Sequence, residues 1–216
     1  LVKWARESLP GVMPDAVGDD DGNLYIADTA NHRVQRVSVD GTVSTLAGTG
    51  TPGSSGDGGL ATEAAMNAPA GIALAADGSI FVSDGRNNRI RRIAPNGVIT
   101  TVAGRAYGDA SIVDIDLRGP GDITLDSSGR LYIADSWSHR IVRVDLSNRM
   151  WSVVAGTGQP GFSNEGGSAT SAKLEVPKGL TIDDAGNLFI ADTDNDLVRR
   201  VDANSGWIAT VALRRR

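Results

Sequence analysis

The 216-residue sequence contains no cysteine. Disulfide staples, thiol nucleophiles and cysteine-ligated zinc are therefore excluded. Histidine is almost missing too. His32 and His139 are the only two, too few for a three-histidine metal site within the chain. Three lysines stand against 18 arginines, and 26 acidic residues outnumber 21 basic ones, for a net charge of −5. That balance is a poor start for a nucleic-acid binder, so no nucleic-acid partner is expected. No apolar run approaches the length that spans a bilayer, and no membrane span is expected. The lack of cysteine is compatible with an extracytoplasmic life, which is slightly favoured, but the compartment stays open.

The rest of the composition is that of a folded domain, with 40% hydrophobic and 22% charged residues. Glycine is enriched, at 27 of 216 residues. Its placement is periodic. Asn23-Leu24-Tyr25-Ile26-Ala27-Asp28 recurs as Ser79 to Asp84, as Arg130 to Asp135 and as Asn187 to Asp192. The closing aspartates step by 56, 51 and 57 residues. Gly22, Gly78, Gly129 and Gly186 open the units. Tyr25, Phe81, Tyr132 and Phe189 share one aromatic slot, and Arg36, Arg92, Arg143 and Arg200 share one basic slot.

Inside a unit the apolar runs are short and bounded by turn formers. In the second unit Gly71 to Leu74, Ser79 to Ser83, Arg89 to Ile93 and Val98 to Ala103 read as four strands, with the hairpin signal Asn96-Gly97 before the last. Ala61 to Met66 has room for one helical turn. Four antiparallel strands in each repeat is the period of a propeller blade. The expected fold is all-β, a β-propeller of four-stranded antiparallel blades.

Asp28-Thr29-Ala30-Asn31-His32-Arg33-Val34, preceded by Gly22 to Ala27, resembles an NHL repeat. Ser55 to Thr62 and Asn164 to Thr170 resemble the linkers between blades of bacterial-type NHL proteins. The resemblance runs from about Pro14 to Leu213. It implies a propeller, most often of six blades, that serves as a binding platform and in some members as an enzyme. Residues 1–216 are expected to form a single propeller domain or a partial one. Residues 1–14 read as the tail of an upstream blade, followed by blades at about 15–67, 68–118, 119–175 and 176–213. A piece of a larger ring, a closed ring of four blades and a ring shared by two chains all stay open. An open arc would expose strand edges, through which chains self-associate.

Several motifs read as architecture. Gly48 to Gly53 and Gly156 to Gly161 fit G-x-G-x-x-G, but each leads into more glycine and a proline instead of a helix, so each is a linker turn and not a dinucleotide site. Asp19-Asp20-Asp21-Gly22 starts like a calcium loop, yet Ala30 stands where the closing glutamate would be needed. Asp28, Asp84 and Asp135 are expected to pair with Arg33, Arg89 and Arg140. The fourth blade breaks this pattern with Leu197, so Asp192 needs another partner. Nine arginines fall in third strands, including Arg91 and Arg199. The inner strands are mostly apolar, and Asp122 and Thr181, the polar residues that stand out in them, are too few for a metal cage. The resemblance to zinc-dependent NHL-like lyases lacks the histidine ligands. No metal, cofactor or catalytic residue is assigned.

Trp137 is the most distinctive loop residue. Its slot holds Ala30, Arg86 and Asp194 in the other blades. It is expected either to stand exposed as a ligand anchor or to pack on a linker beside Phe162 or Tyr107. The candidate ligand-binding residues are Trp137, Arg86, Asp194, Asn195 and Asp57, expected on one loop face. The function expected is a non-enzymatic recognition or scaffold module presenting that face to a protein, peptide or glycan. The alternatives are a lactonase-like or amidating-lyase-like propeller enzyme with its catalytic residues outside this chain, and a structural subunit of a larger assembly.

Overall fold

A computed structural model describes residues 15–105 and 112–213. The expected upstream tail 1–14, Tyr107 and Arg214 to Arg216 lie outside the described residues. The chain forms two compact units, one through Thr101 and one from Val102.

Four antiparallel sheets follow one another in sequence. The first is β1 (Ala16–Gly18), β2 (Leu24–Asp28), β3 (Arg33–Val37) and β4 (Val43–Ala47), hydrogen-bonded in that order. The second is β5 (Pro69–Leu74), β6 (Ile80–Asp84), β7 (Arg89–Ile93) and β8 (Ile99–Gly104), with β9 (Val113–Asp114) added in parallel to β8. The third is β10 (Pro120–Leu125), β11 (Leu131–Asp135), β12 (Arg140–Asp145) and β13 (Met150–Ala155). In the fourth, β14 (Gly167–Ser168) flanks the outer edge of a sheet made of β15 (Pro177–Ile182), β16 (Leu188–Asp192), β17 (Leu197–Val201) and β18 (Trp207–Leu213). Each sheet has the four antiparallel strands expected of a blade, and the second and fourth carry a two-residue addition. Linker backbone adds a fifth strand there, satisfying groups that an outer strand would otherwise leave unpaired.

The repeated motif shapes each blade locally. The turn glycines Gly22, Gly78, Gly129 and Gly186 take positive φ of 75–85°, which costs a residue without Cβ little. After each second strand comes one 3-10 turn that ends in a left-handed residue: His32, Asn88, His139 or Asp196. These are the residue types that tolerate αL best after glycine. Ala61–Glu63 forms one 3-10 turn within its linker.

Each unit has its own apolar core, and the two cores match by position. In the first unit Val34, Ala47, Ala61, Ala64, Met66, Ile72, Ile80 and Val82 are buried together. In the second unit Ile141, Ala155, Ala169, Ala172, Leu174, Leu180, Leu188 and Ile190 do the same, each 107 or 108 residues further on. Small alanines in both linkers let the loop backbone lie close against the sheets, where a larger side chain would have no room. The longer period of two blades is thus a physical unit as well as the single blade.

Candidate functional site

The two-blade period is carried by charge as well as by packing. Arg91 and Arg199 are both fully buried, and each is met by a carboxylate from the linker that precedes its sheet. Arg91 Nη2 lies 2.7 Å from Asp57 Oδ1, and its Nη1 donates to Ala65 O at 2.9 Å. Burial pushes the Arg91 guanidinium down from its usual pKa and Arg89 adds to this, while Asp57 and Asp84 oppose it. In the second unit Arg199 Nη2 stands 3.4 Å from Glu165 Oε2, and the guanidinium covers the Phe162 ring at 4.8 Å. The linker acid is itself tied to the outer strand. Thr101 Oγ1 donates to Asp57 at 2.6 Å, and Thr210 Oγ1 donates to Glu165 at 2.9 Å.

The second-strand aspartates meet third-strand arginines inside each blade. Arg33 Nε–Asp28, Arg89 Nε–Asp84 and Arg140 Nε–Asp135 measure 3.0, 3.1 and 2.8 Å. In the fourth blade Leu197 takes the arginine's place, and Asp192 is met by Arg199 Nη1 at 3.7 Å. Burial raises the Asp192 carboxyl above its ordinary pKa, against hydrogen bonds from the Glu175 N–H and Asn195 and the charge of Arg199. His32 and His139 also act in parallel. Each accepts a backbone N–H at Nδ1, from Ala68 at 3.1 Å and from Val176 at 3.2 Å. Those donors sit at φ 52° and 46°, a strained region for alanine and more so for β-branched valine.

Trp137 stands out from this regular frame. It rides on the 3-10 turn Ser136–Ser138 and is 65% exposed. The turn is held from below, where buried Ser136 donates its hydroxyl to Pro177 O at 2.6 Å. The Trp137 N–H donates to Arg118 O at 3.1 Å. Its indole lies over Gly119, where a Cβ would come within 2.9 Å of the ring. The side chain is thus largely exposed while one side of its ring lies on Gly119 of the preceding linker, and the expected neighbour Tyr107 is outside the described residues.

Beside the indole lies a cavity of about 360 Å³, bordered by Asp116, Arg118, Trp137, Ser138, Arg140 and the Gly156–Gly158 backbone. Asp116 is held by Arg105 Nε at 3.1 Å and Arg118 Nη2 at 3.6 Å. The Arg105 hydrogen bond, followed by the charges of both arginines, keeps its carboxyl below the usual range. Arg140 donates to Asp116 O at 3.0 Å and lies 5.5 Å from the Trp151 ring centroid. The cavity border thus carries two guanidinium groups against one carboxylate, beside an exposed aromatic face.

The other candidates divide. Arg86 and Asp194 are exposed, and their backbone N–H groups donate to Asn67 O and Glu175 O. Asn195 is tied inward, donating to Asp192 at 2.8 Å and Gly161 O at 2.9 Å. Asp57 is turned onto Arg91. Asp116, Arg118 and Arg105 were not singled out from the sequence, because the second linker lacks the acid-Gly-Gly element that the others carry as Asp57-Gly58-Gly59 and Glu165-Gly166-Gly167. Two arginines, Arg105 and Arg118, enclosing the aspartates of that irregular stretch were the available signal. The Asp19 carboxylate closes its hairpin by accepting from Asn23 and Tyr25. Among the described residues no group of three or more His, Asp or Glu side chains is placed to hold a metal ion. No helix among them is long and apolar enough to cross a membrane.

Consecutive antiparallel blades with a shared NHL motif define a β-propeller of the NHL type. The chain belongs to the NHL-repeat family: the teneurin NHL domain matches residues 50–114 and 122–215, and an NHL repeat matches residues 16–37. The chain is 30% identical over 197 residues to the chloroplastic Protein SUPPRESSOR OF QUENCHING 1 of Arabidopsis thaliana, covering 85% of this chain and 18% of that protein. It is 28% identical over 218 residues to NHL repeat-containing protein 2 of Bos taurus, covering 88% of this chain and 30% of that one. The chain therefore spans less than a third of the length of these relatives. Among solved structures, virginiamycin B lyase from Staphylococcus aureus superposes with a TM-score of 0.60 at 19% identity, over 96% of this chain and 58% of the lyase. That likeness concerns the propeller fold.

Proposed function

We propose that the chain is a non-enzymatic recognition module and that the Trp137 loop face takes a segment of a partner protein. The observation that carries this reading is the exposed indole, which lies over Gly119 on the border of a polar cavity. An aromatic anchor with few rotamers, ringed by charged groups, has the anatomy of a binding hot spot. The excess of guanidinium over carboxylate on the cavity border suits a partner segment that is acidic beside an apolar anchor. The blades act as a rigid scaffold, and the irregular second linker supplies the variable part. Arg86 and Asp194 are proposed as further exposed contacts on their own loops.

Selection of displayed peptides on the folded protein tests the reading. Enriched peptides are expected to carry acidic and aromatic residues. They are expected to lose at least about tenfold in affinity with Trp137→Ala, which corresponds to about 1.4 kcal/mol. Trp207→Ala, which removes another exposed indole, is expected to leave binding unchanged. Peptides that bind both variants as well as the parent would contradict the reading.

A further inference from the structure

A second cavity in the same unit has a different chemistry. It measures about 480 Å³ and lies between the third and fourth blades, at the end where the hairpin turns 126–130 and 202–206 meet. Its floor is apolar, from Ile182, Leu188 and Val201, and hydroxyl groups surround it. Arg143 reaches into this space from β12, with Tyr132 and Ser152 as its cross-strand neighbours.

The state of Arg143 follows from the two-blade period. In the second and fourth blades the same slot is neutralised. Arg92 pairs with Asp77 at 3.0 Å and Arg200 with Asp202 at 2.7 Å. Those blades carry Phe81 and Phe189 in the aromatic slot. The first and third blades carry tyrosine instead, and Tyr25 and Tyr132 direct their hydroxyls to Asp19 and Asp126. In the third blade Asp126 is further held by Arg130 at 2.7 Å. The guanidinium of Arg143 consequently has no hydrogen bond or ion pair among the described residues. The carboxylates bordering the cavity, Asp126 and Asp202, are each engaged by another arginine. Among the described residues, Arg143 is the one charge on the cavity border without a partner.

We infer that this cleft binds an acidic saccharide. Its carboxylate or phosphate would pair with Arg143, and its hydroxyls would meet Ser127, Ser152, Ser168 and Thr170. A guanidinium fork matches both oxyanions in a bidentate geometry. The volume suits a small ligand, and the apolar floor suits the carbon face of a sugar ring. The site does not include Trp137, although Val153 borders both cavities.

The test is an amide NMR titration of the whole protein at constant ionic strength, with glucuronate, glucose 6-phosphate and neutral glucose. Saturable shifts at 126–130, 152–154 and 202–206 are expected with at least one anion and not with glucose. The stronger anion identifies the source of the charge. Arg143→Gln is expected to weaken binding at least about tenfold, while Trp137→Ala leaves it unchanged. An Arg143→Gln spectrum that overlays the parent's away from the cleft shows that the variant is folded. Equal binding of glucose, absence of saturable shifts, or full binding by folded Arg143→Gln would overturn the inference.

Discussion

Asp57 and Arg91 meet at 2.7 Å across 34 residues of sequence, and the arginine is wholly buried. The pair fastens a glycine-rich linker onto the third strand of the blade that follows it. Glu165 and Arg199 repeat the relationship 108 residues later. In both units the acid also accepts from a threonine of the outermost long strand. The pair adds to the buried Ala61, Ala64 and Met66 in ordering a linker whose glycines lose much conformational freedom on folding.

Removing the acid therefore leaves a buried cation with only the more distant second-strand carboxylate, Asp84 at 3.9 Å from Arg91 or Asp192 at 3.7 Å from Arg199. Asp57→Ala is expected to destabilise the protein by about 2–3 kcal/mol, below the range for fully buried pairs because Asp57 is itself partly exposed. Glu165→Ala is expected to cost less, since its contact with Arg199 is the longer one at 3.4 Å. Urea denaturation of the two variants measures the difference. Equal losses would contradict the ranking by distance, and losses near zero in both would mean that the linkers are held by something other than these pairs.

The two histidines make a second pair of predictions. His139→Ala removes both a residue type suited to αL and the acceptor for the Val176 N–H. It is expected to cost about 2 kcal/mol, roughly half from each cause. His139→Asn keeps tolerance of the αL conformation and is expected to cost about 1 kcal/mol. Thermal melting of both variants checks the values, and a His139→Asn variant as stable as the parent would mean that the hydrogen bond contributes nothing.

Carboxyl groups of the hairpin turns set the response to acid. Backbone N–H groups of Ser79 and Ser205 are the main cause that holds Asp77 and Asp202 below the ordinary carboxyl range. A lowered folded-state pKa contributes stability above the ordinary value, and that stability is lost as pH falls through the lowered one. Asp192 has the opposite sign, because burial raises it. Its contribution is lost as pH rises from the ordinary carboxyl value through the raised one. Leu197→Arg restores the arginine present in the other three blades. It is expected to gain about 1 kcal/mol at neutral pH and less in acid, where Asp192 is protonated. Melting temperatures of parent and variant across acid and neutral pH test this. A gain independent of pH would contradict it.

The blade pattern was legible in the sequence because strand, turn and aspartate recur in register. Turn chemistry is local, so Gly22, Asn96-Gly97 and the third-strand run Arg89 to Ile93 could be read without the fold. The two-blade period was less visible. Tyr25 and Tyr132 alternate with Phe81 and Phe189, and His32 and His139 alternate with Asn88 and Asp196, but a single aromatic or αL slot conceals that alternation. The partner of Arg91 lies in a linker, and sequence spacing does not reveal a contact made by folding a loop back. For the same reason Asp57 and Asn195 read as surface groups, although their side chains turn inward. Asp116 and Arg118 gave no repeat signal because they belong to the one linker that departs from the pattern.

The measurement that bears most directly on the recognition role is amide NMR mapping of a selected acidic, aromatic peptide on the whole protein. Shifts are expected to concentrate at Asp116 to Arg118, Trp137 to Arg140 and Gly156 to Gly158, and to vanish with Trp137→Ala. Gly119→Ala, whose added Cβ would meet the indole, is expected to weaken the same peptide by about tenfold. Shifts located elsewhere, or unchanged binding in both variants, would contradict recognition through the Trp137 face.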